Sequence, residues 1–227
     1  MTRYGIRLSL IPDADGDALA AEFGLATSHP WGPPSWIGVR ITERGLVAKP
    51  YHRWIGIPLA EQRRLLQRDR PADMTPLMAS QTGDVVELYC WAYHEQTWRA
   101  FTPRMLASIG VSPVATAPVP QPLADGYGAS FRWTGDELTA VSLFANDRTW
   151  LTDDDVARGW IKGMSDADRH HYEMSLLGLQ SIGPMPRHGW HALLSWTFEQ
   201  DGTHHRAASL RVPPAFAKAV CDAAPRQ

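Results

Sequence analysis

The run DVVELYCWAYHEQTW, residues 84 to 98, holds the side chains of this sequence best suited to chemistry. On an extended backbone Glu87, Tyr89, Trp91 and Tyr93 point one way, while Val86, Leu88, Cys90 and Ala92 point the other. The second set is small to medium and apolar, which suits packing against helices. The first suits neither open solvent, which does not favour three rings in a row, nor a plain core, which excludes a charge. A cleft wall meets both requirements, with amphipathic rings enclosing a ligand and one carboxylate orienting or deprotonating it. A carboxylate held among rings loses hydration, which favours its neutral form and general acid–base work. The structural alternative is a Glu87 paired with an arginine across the sheet and flanked by its tyrosines.

Other segments offer partners for such a carboxylate. In FRW the residue Arg132 faces away from Phe131 and Trp133, and YHRW brings His52 and Arg53 to a strand end. In WHALLSWTFE, Trp190, Ala192, Leu194, Trp196 and Phe198 form an apolar face, leaving His191, Ser195 and Thr197 on the other. Strand parity then lets His191 and Glu87 flank one cleft, and a single bulge would undo that inference. The candidate catalytic set is Glu87, His191, Arg132 and Arg53. Tyr89, Trp91, Tyr93 and Trp133 are the candidate substrate-binding residues.

The elements that must position these residues read as an alternation of hairpins and helices. Tyr4, Ile6, Leu8 and Leu10 alternate with polar or small residues in a first strand, and a helix over 13–23 ends at Gly24. The prolines of HPWGPPSW, 29–36, make a loop. Trp36–Thr42 and Leu46–His52 flank the turn ERG, and a helix follows Pro58 to about Arg70. Val85–Tyr93 and Thr97–Phe101 are predicted as a second hairpin, with Pro103 opening a helix. A proline-rich connector, 111–126, separates an N-terminal half, 1–110, from a C-terminal half, 127–227, with one continuous domain as the alternative. In the latter, hairpins cross TGDE and DG, helices occupy 153–179, and Pro213 opens another.

WAYHEQ (91–96) parallels WTFEQ (196–200), and FTPRMLASI (101–109) parallels RVPPAFAKAV (211–220). The expectation is an α+β protein whose antiparallel sheet or sheets are built from hairpin–helix–hairpin–helix units. An internal pseudo-duplication and helices packed on one side complete that picture.

Composition excludes several classes of function. The net charge of −2 creates no field that would gather nucleic acid or an anionic membrane. QRRLLQRDR, 62–70, concentrates arginine on one helix but lacks interleaved aromatics, so it reads as a solvated face. No stretch of about 18 apolar residues suggests a membrane span. The opening residues lack the apolar run of a secretory signal. Two cysteines, Cys90 and Cys221, point to a reduced, cytoplasmic setting. DADGD, 13–17, departs from a calcium loop at its twelfth position, which is Gly24. GYGASF, 126–131, opens no helix. Asp166 and His170 read as a helix-face pair, and His204 of the pair His204 and His205 falls far along its hairpin from His191, so no shared metal is expected; whether His170 and His171, or His188 and His191, hold one stays open. No cofactor is expected.

Two functions remain. One is a cofactor-independent isomerase, cyclase or lyase acting on an aromatic or polycyclic substrate, with Glu87 as acid or base. The other is a non-catalytic adaptor, immunity or chaperone-like module using exposed Trp31, Trp36 and Trp54 and the loops 29–36 and 113–122. The expected partner is a small aromatic or apolar ligand, with no nucleic acid and no membrane; a homodimer stays open.

Overall fold

The computed structural model describes residues 2–10, 16–42, 45–68, 74–92, 95–112, 126–146, 191–211 and 219. The predicted helices over 153–179 and after Pro213, the connector 113–125, Tyr93, Trp190 and the histidines at 170, 171 and 188 lie outside them.

The strands are β1 (Thr2–Leu10), β2 (Trp36–Thr42), β3 (Gly45–Arg53), β4 (Thr75–Thr82), β5 (Val85–Ala92), β6 (Gly126–Thr134), β7 (Glu137–Asn146), β8 (His191–Glu199) and β9 (His204–Arg211). The helices are α1 (Gly16–Glu22), α2 (Leu59–Leu66) and α3 (Glu95–Ser108), with one 3-10 turn at Trp54–Gly56. The strands follow chain order around a single ladder, each antiparallel to the next, and β1 pairs with β9 to close it. An odd number of alternating strands leaves the first and last pointing the same way. The closing pair is accordingly parallel, from Thr2 opposite His204 to Ser9 opposite Arg211.

This overturns the expected stack of hairpin–helix units. β5 pairs directly with β6 over eight residues, so the sheet runs without a break from one side of the connector to the other. The described helices are three and short. Of the repeated letters, WAYHEQ and WTFEQ do not occupy equivalent places, while most of RVPPAFAKAV, 211–220, lies outside the described residues. Trp91 lies on the Glu87 face, whereas Trp196 belongs to the apolar core on the other. WAYHEQ runs into a helix, and WTFEQ runs into a two-strand turn whose Gly202 has φ +81°.

Two elements differ from the sequence expectation. TPLMASQT forms β4, which takes the place predicted for 97–101 as the partner of β5. Residues 97–101 are helical, and Pro103 lies inside α3 rather than at its start. Pro103 is on the exposed side, where the carbonyl left without an amide partner can take water.

The apolar core lies on one face of the ladder. Val86, Leu88, Cys90 and Ala92 of β5 join Phe131 and Trp133 of β6 and Trp196 and Phe198 of β8 in one buried cluster. Helices cover it with Leu19 and Ala20 of α1, Leu65 of α2, and Met105 and Leu106 of α3. The reading of β5 as a strand with an apolar face against helices therefore holds. Among the described residues no helix is long and apolar enough to cross a membrane.

Candidate functional site

The opposite face carries Glu87. Cross-strand partners share a face, and the register sets Glu87 opposite Ser80 of β4 and Arg132 of β6, and Tyr89 opposite Ser130. Glu87 is 7% exposed. A carboxylate that deep needs a cation and donors, because an isolated buried charge is very costly. Lys49 of β3 provides the cation through an ion pair to Oε2. Ser130 Oγ donates to Oε1 at 2.5 Å. Lys49 reaches across β4, where the residue opposite Glu87 is the small Ser80.

Lys49 also ties the carboxylate to two phenols. Its Nζ donates to the Tyr89 hydroxyl at 3.2 Å, and that hydroxyl donates to the Tyr51 hydroxyl at 3.4 Å. The ammonium stands 5.4 and 5.6 Å from the centroids of the Tyr51 and Tyr89 rings, within cation–π range. Tyr51, Tyr89 and Phe144 form a second buried cluster on this face, with half-buried Trp36, Met78 and Trp91 packed against it. The Ser80 hydroxyl, buried opposite Glu87, has no hydrogen-bond partner among the described residues.

Two glycines make room for this layer of rings. A Cβ on Gly38 would stand 2.8 Å from Tyr51 Cε2, and one on Gly128 would stand 2.0 Å from Phe144 Cε2 and 2.7 Å from Trp91 Cε3. Neither position has a φ that demands glycine; the requirement is space. Gly128→Ala is expected to lower stability by about 1–3 kcal/mol, the usual range for overpacking. Thermal melts would check it, and a variant as stable as wild type would mean that the rings move aside freely.

The candidate residues fall in different places. Glu87, Tyr89 and Trp91 share the site. Arg132 is beside it, but its guanidinium pairs with Glu199 of β8 rather than with Glu87. Arg53 is exposed at the end of β3. Trp133 is in the apolar core on the other face, where Arg68 lies 5.3 Å from its ring centroid. A register shift between His191 and Leu193 interrupts the β8–β9 pairing, so strand parity does not carry from Ser195 to His191. Ser195 and Thr197 are buried, and Thr197 shares a 2.8 Å hydrogen bond with Ser142 of β7.

Sequence reasoning missed Lys49, Tyr51 and Ser130. A signal for the first was present: the chain has only three lysines, and one of them stands within a strand.

A second polar group is buried against the apolar face. His52 is 2% exposed, and neither of its nitrogens makes a hydrogen bond of full geometry among the described residues. It stacks on His29 at 4.4 Å and meets the edge of Trp31 at 5.5 Å. His29 Nδ1 in turn accepts the Trp31 backbone N–H at 3.1 Å. Burial, aided by the neighbouring His29, pulls His52 down to about 4, opposed only weakly by the Pro33 carbonyl. Burial also lowers His29.

An open cleft of about 410 Å³ lies elsewhere, where β7, β8 and β9 meet, lined by Thr139, Glu199, Gln200, Asp201, Thr203 and His205. Among the described residues no three metal-ligating side chains converge. No protein-family model matches this chain, and no curated protein matches it.

Proposed function

We propose that the Glu87 face binds a small aromatic molecule, held against the layer of rings and oriented by Lys49. The observation that supports this reading is the lysine itself. Its side chain is 27% exposed while it bridges a buried carboxylate and a buried phenol. A cation so fixed presents its free side to a ligand without further ordering, and half-buried Trp36, Trp91 and Met78 offer apolar contact.

Within the acid–base class, a cofactor-independent isomerase, cyclase or lyase, the proton-exchanging group becomes Tyr89 rather than Glu87. Both oxygens of Glu87 are engaged, by Lys49 and Ser130. An ammonium 3.2 Å from the Tyr89 oxygen stabilises charge that develops there.

Fluorescence titration with 1-anilinonaphthalene-8-sulfonate, an anionic aromatic probe, tests the site. The variant is the double substitution Lys49→Met with Glu87→Gln, which removes the cation without stranding a buried carboxylate. Saturable binding to wild type, weakened about tenfold or more in the variant, is expected. Equal affinity for the two proteins would refute the site.

The protein-contact reading is favoured by a separate observation on α2, argued next. It does not run through Trp31, which is 4% exposed.

A further inference from the structure

We propose that the 3-10 turn at Trp54–Gly56 and helix α2 form a docking surface for an acidic, amphipathic segment of a partner protein. The inference does not rest on the small-ligand site, which lies on the other face of the sheet from α2's buried Leu65 and adjoins this surface only where Arg53 stands opposite Met78.

The large apolar side chains most open to solvent among the described residues are Ile55, 86% exposed, and Leu59, 61% exposed. Leu66, 39% exposed, follows Leu59 by seven residues. On a helix, positions i, i+4 and i+7 lie along one side, so Leu59, Arg63 and Leu66 make an apolar–basic–apolar stripe. Leu65, by contrast, is fully buried and fixes which side of α2 meets the core.

The surface is held rigid. Gln62 Nε2 donates to the Trp54 carbonyl at 3.0 Å and to the Ile57 carbonyl at 2.8 Å, clamping the turn onto the helix. The Ile57 N–H closes the turn onto Trp54 O at 3.1 Å. Ile55 is thus held outward by a locked backbone, and a preformed anchor loses little entropy on binding.

Charge identifies the occupant. Arg53 and Arg63 are exposed and make no ion pair among the described residues. The one acid on α2, Glu61, is held by Arg64 at 3.0 and 2.7 Å. A partner that buries these three apolar side chains must bring carboxylates to Arg53 and Arg63, since a basic rim disfavours a basic partner. An eight-residue helix gives too little apolar area to hold a membrane surface by itself.

The test uses the full chain and a fluorescein-labelled 18-residue peptide with leucines at i, i+3, i+4 and i+7 and glutamates at the remaining positions, read by polarisation. A peptide of the same composition in permuted order is the control. Saturable binding of the patterned peptide alone is expected. It should weaken about tenfold or more with Ile55→Ser plus Leu59→Ser, and similarly with Arg63→Glu. Replacing the peptide's glutamates by lysines should restore binding to Arg63→Glu. These residues are exposed, so the variants should melt as wild type does, and they should keep the affinity of wild type for the anilinonaphthalene probe. Equal binding of the permuted peptide, or no effect of the substitutions, would overturn the proposal. Arg63-dependent binding to phosphatidylglycerol vesicles in place of the peptide would overturn it in favour of a lipid surface.

Discussion

Replacing Lys49 by Met is expected to lower stability by about 3 kcal/mol, whereas Glu87→Gln should cost only about 1.5 kcal/mol. The asymmetry follows from burial. The Glu87 side chain is 9% exposed and the Lys49 side chain 27%. Without Lys49, the carboxylate stays in place, still accepting from Ser130 but deprived of the Lys49 cation, and removing one partner of a buried ion pair costs about 3–5 kcal/mol. Without the carboxylate charge, the ammonium can turn toward water and keep the Tyr89 hydroxyl. The loss is then that of one charge-assisted hydrogen bond. In a chain of this length about 3 kcal/mol lowers the melting temperature by about 6–12 °C.

The double variant Lys49→Met with Glu87→Leu should recover most of the loss, because replacing both partners by apolar groups is often neutral or stabilising. Denaturant unfolding of wild type, Lys49→Met, Glu87→Leu and this double variant measures the coupling directly. Should Glu87→Gln prove more damaging than Lys49→Met, the lysine would be the more deeply buried member, and the exposure on which the ligand site depends would be wrong.

Acidification should weaken the fold through His52. The ordinary value for a histidine is 6.5, and in the folded chain burial pulls His52 to about 4. The sign follows from proton binding. Between those values the unfolded chain takes up a proton that the folded chain refuses, so stability is complete above about 6.5 and falls as the pH drops toward 4. The gap corresponds to about 3 kcal/mol. His29, stacked on His52 and also lowered, acts in the same direction. Unfolding midpoints at pH 7.5, 6.5, 5.5 and 4.5 should therefore decline more steeply for wild type than for His52→Leu. Subtracting the two profiles removes the titration of carboxylates common to both. Parallel profiles would mean that His52 is hydrated or partnered in solution.

The sheet's local grammar was readable, and its global closure was not. The alternation in VVELYCWA assigned both faces of β5 correctly, because strand parity is a property of consecutive residues. Glycines at the TGDE and DG turns marked two hairpins, and Gly135 and Gly202 do adopt positive φ. β4 was missed because TPLMASQT holds a proline and little alternation, and its register slips between Pro76 and Met78. α3 was misread because Thr97, Trp98 and Phe101 favour strands, and Pro103 marked a helix start that lies eight residues too late. The β1–β9 pairing joins residues about two hundred positions apart, which no local pattern encodes.

The site was half legible for the same reason. Glu87 and its rings are neighbours in sequence, whereas its cation stands 38 residues away and two strands over. The alternative of an arginine across the sheet named the right kind of partner and the wrong residue. Arg132 is the register neighbour, yet it is drawn off by Glu199, leaving Glu87 to Lys49.

The parallel closure of the ladder has a mechanical consequence. β1 and β9 run side by side in the same direction over eight paired residues. The start of β1 and the end of β9 consequently lie at opposite ends of the shared seam. A pull on those two points slides the strands lengthwise past each other, so the hydrogen bonds of the seam carry the load together. A hairpin pulled open from its ends yields one bond at a time. The sheet's one parallel pair among the described strands is the one placed to resist being drawn apart by its ends.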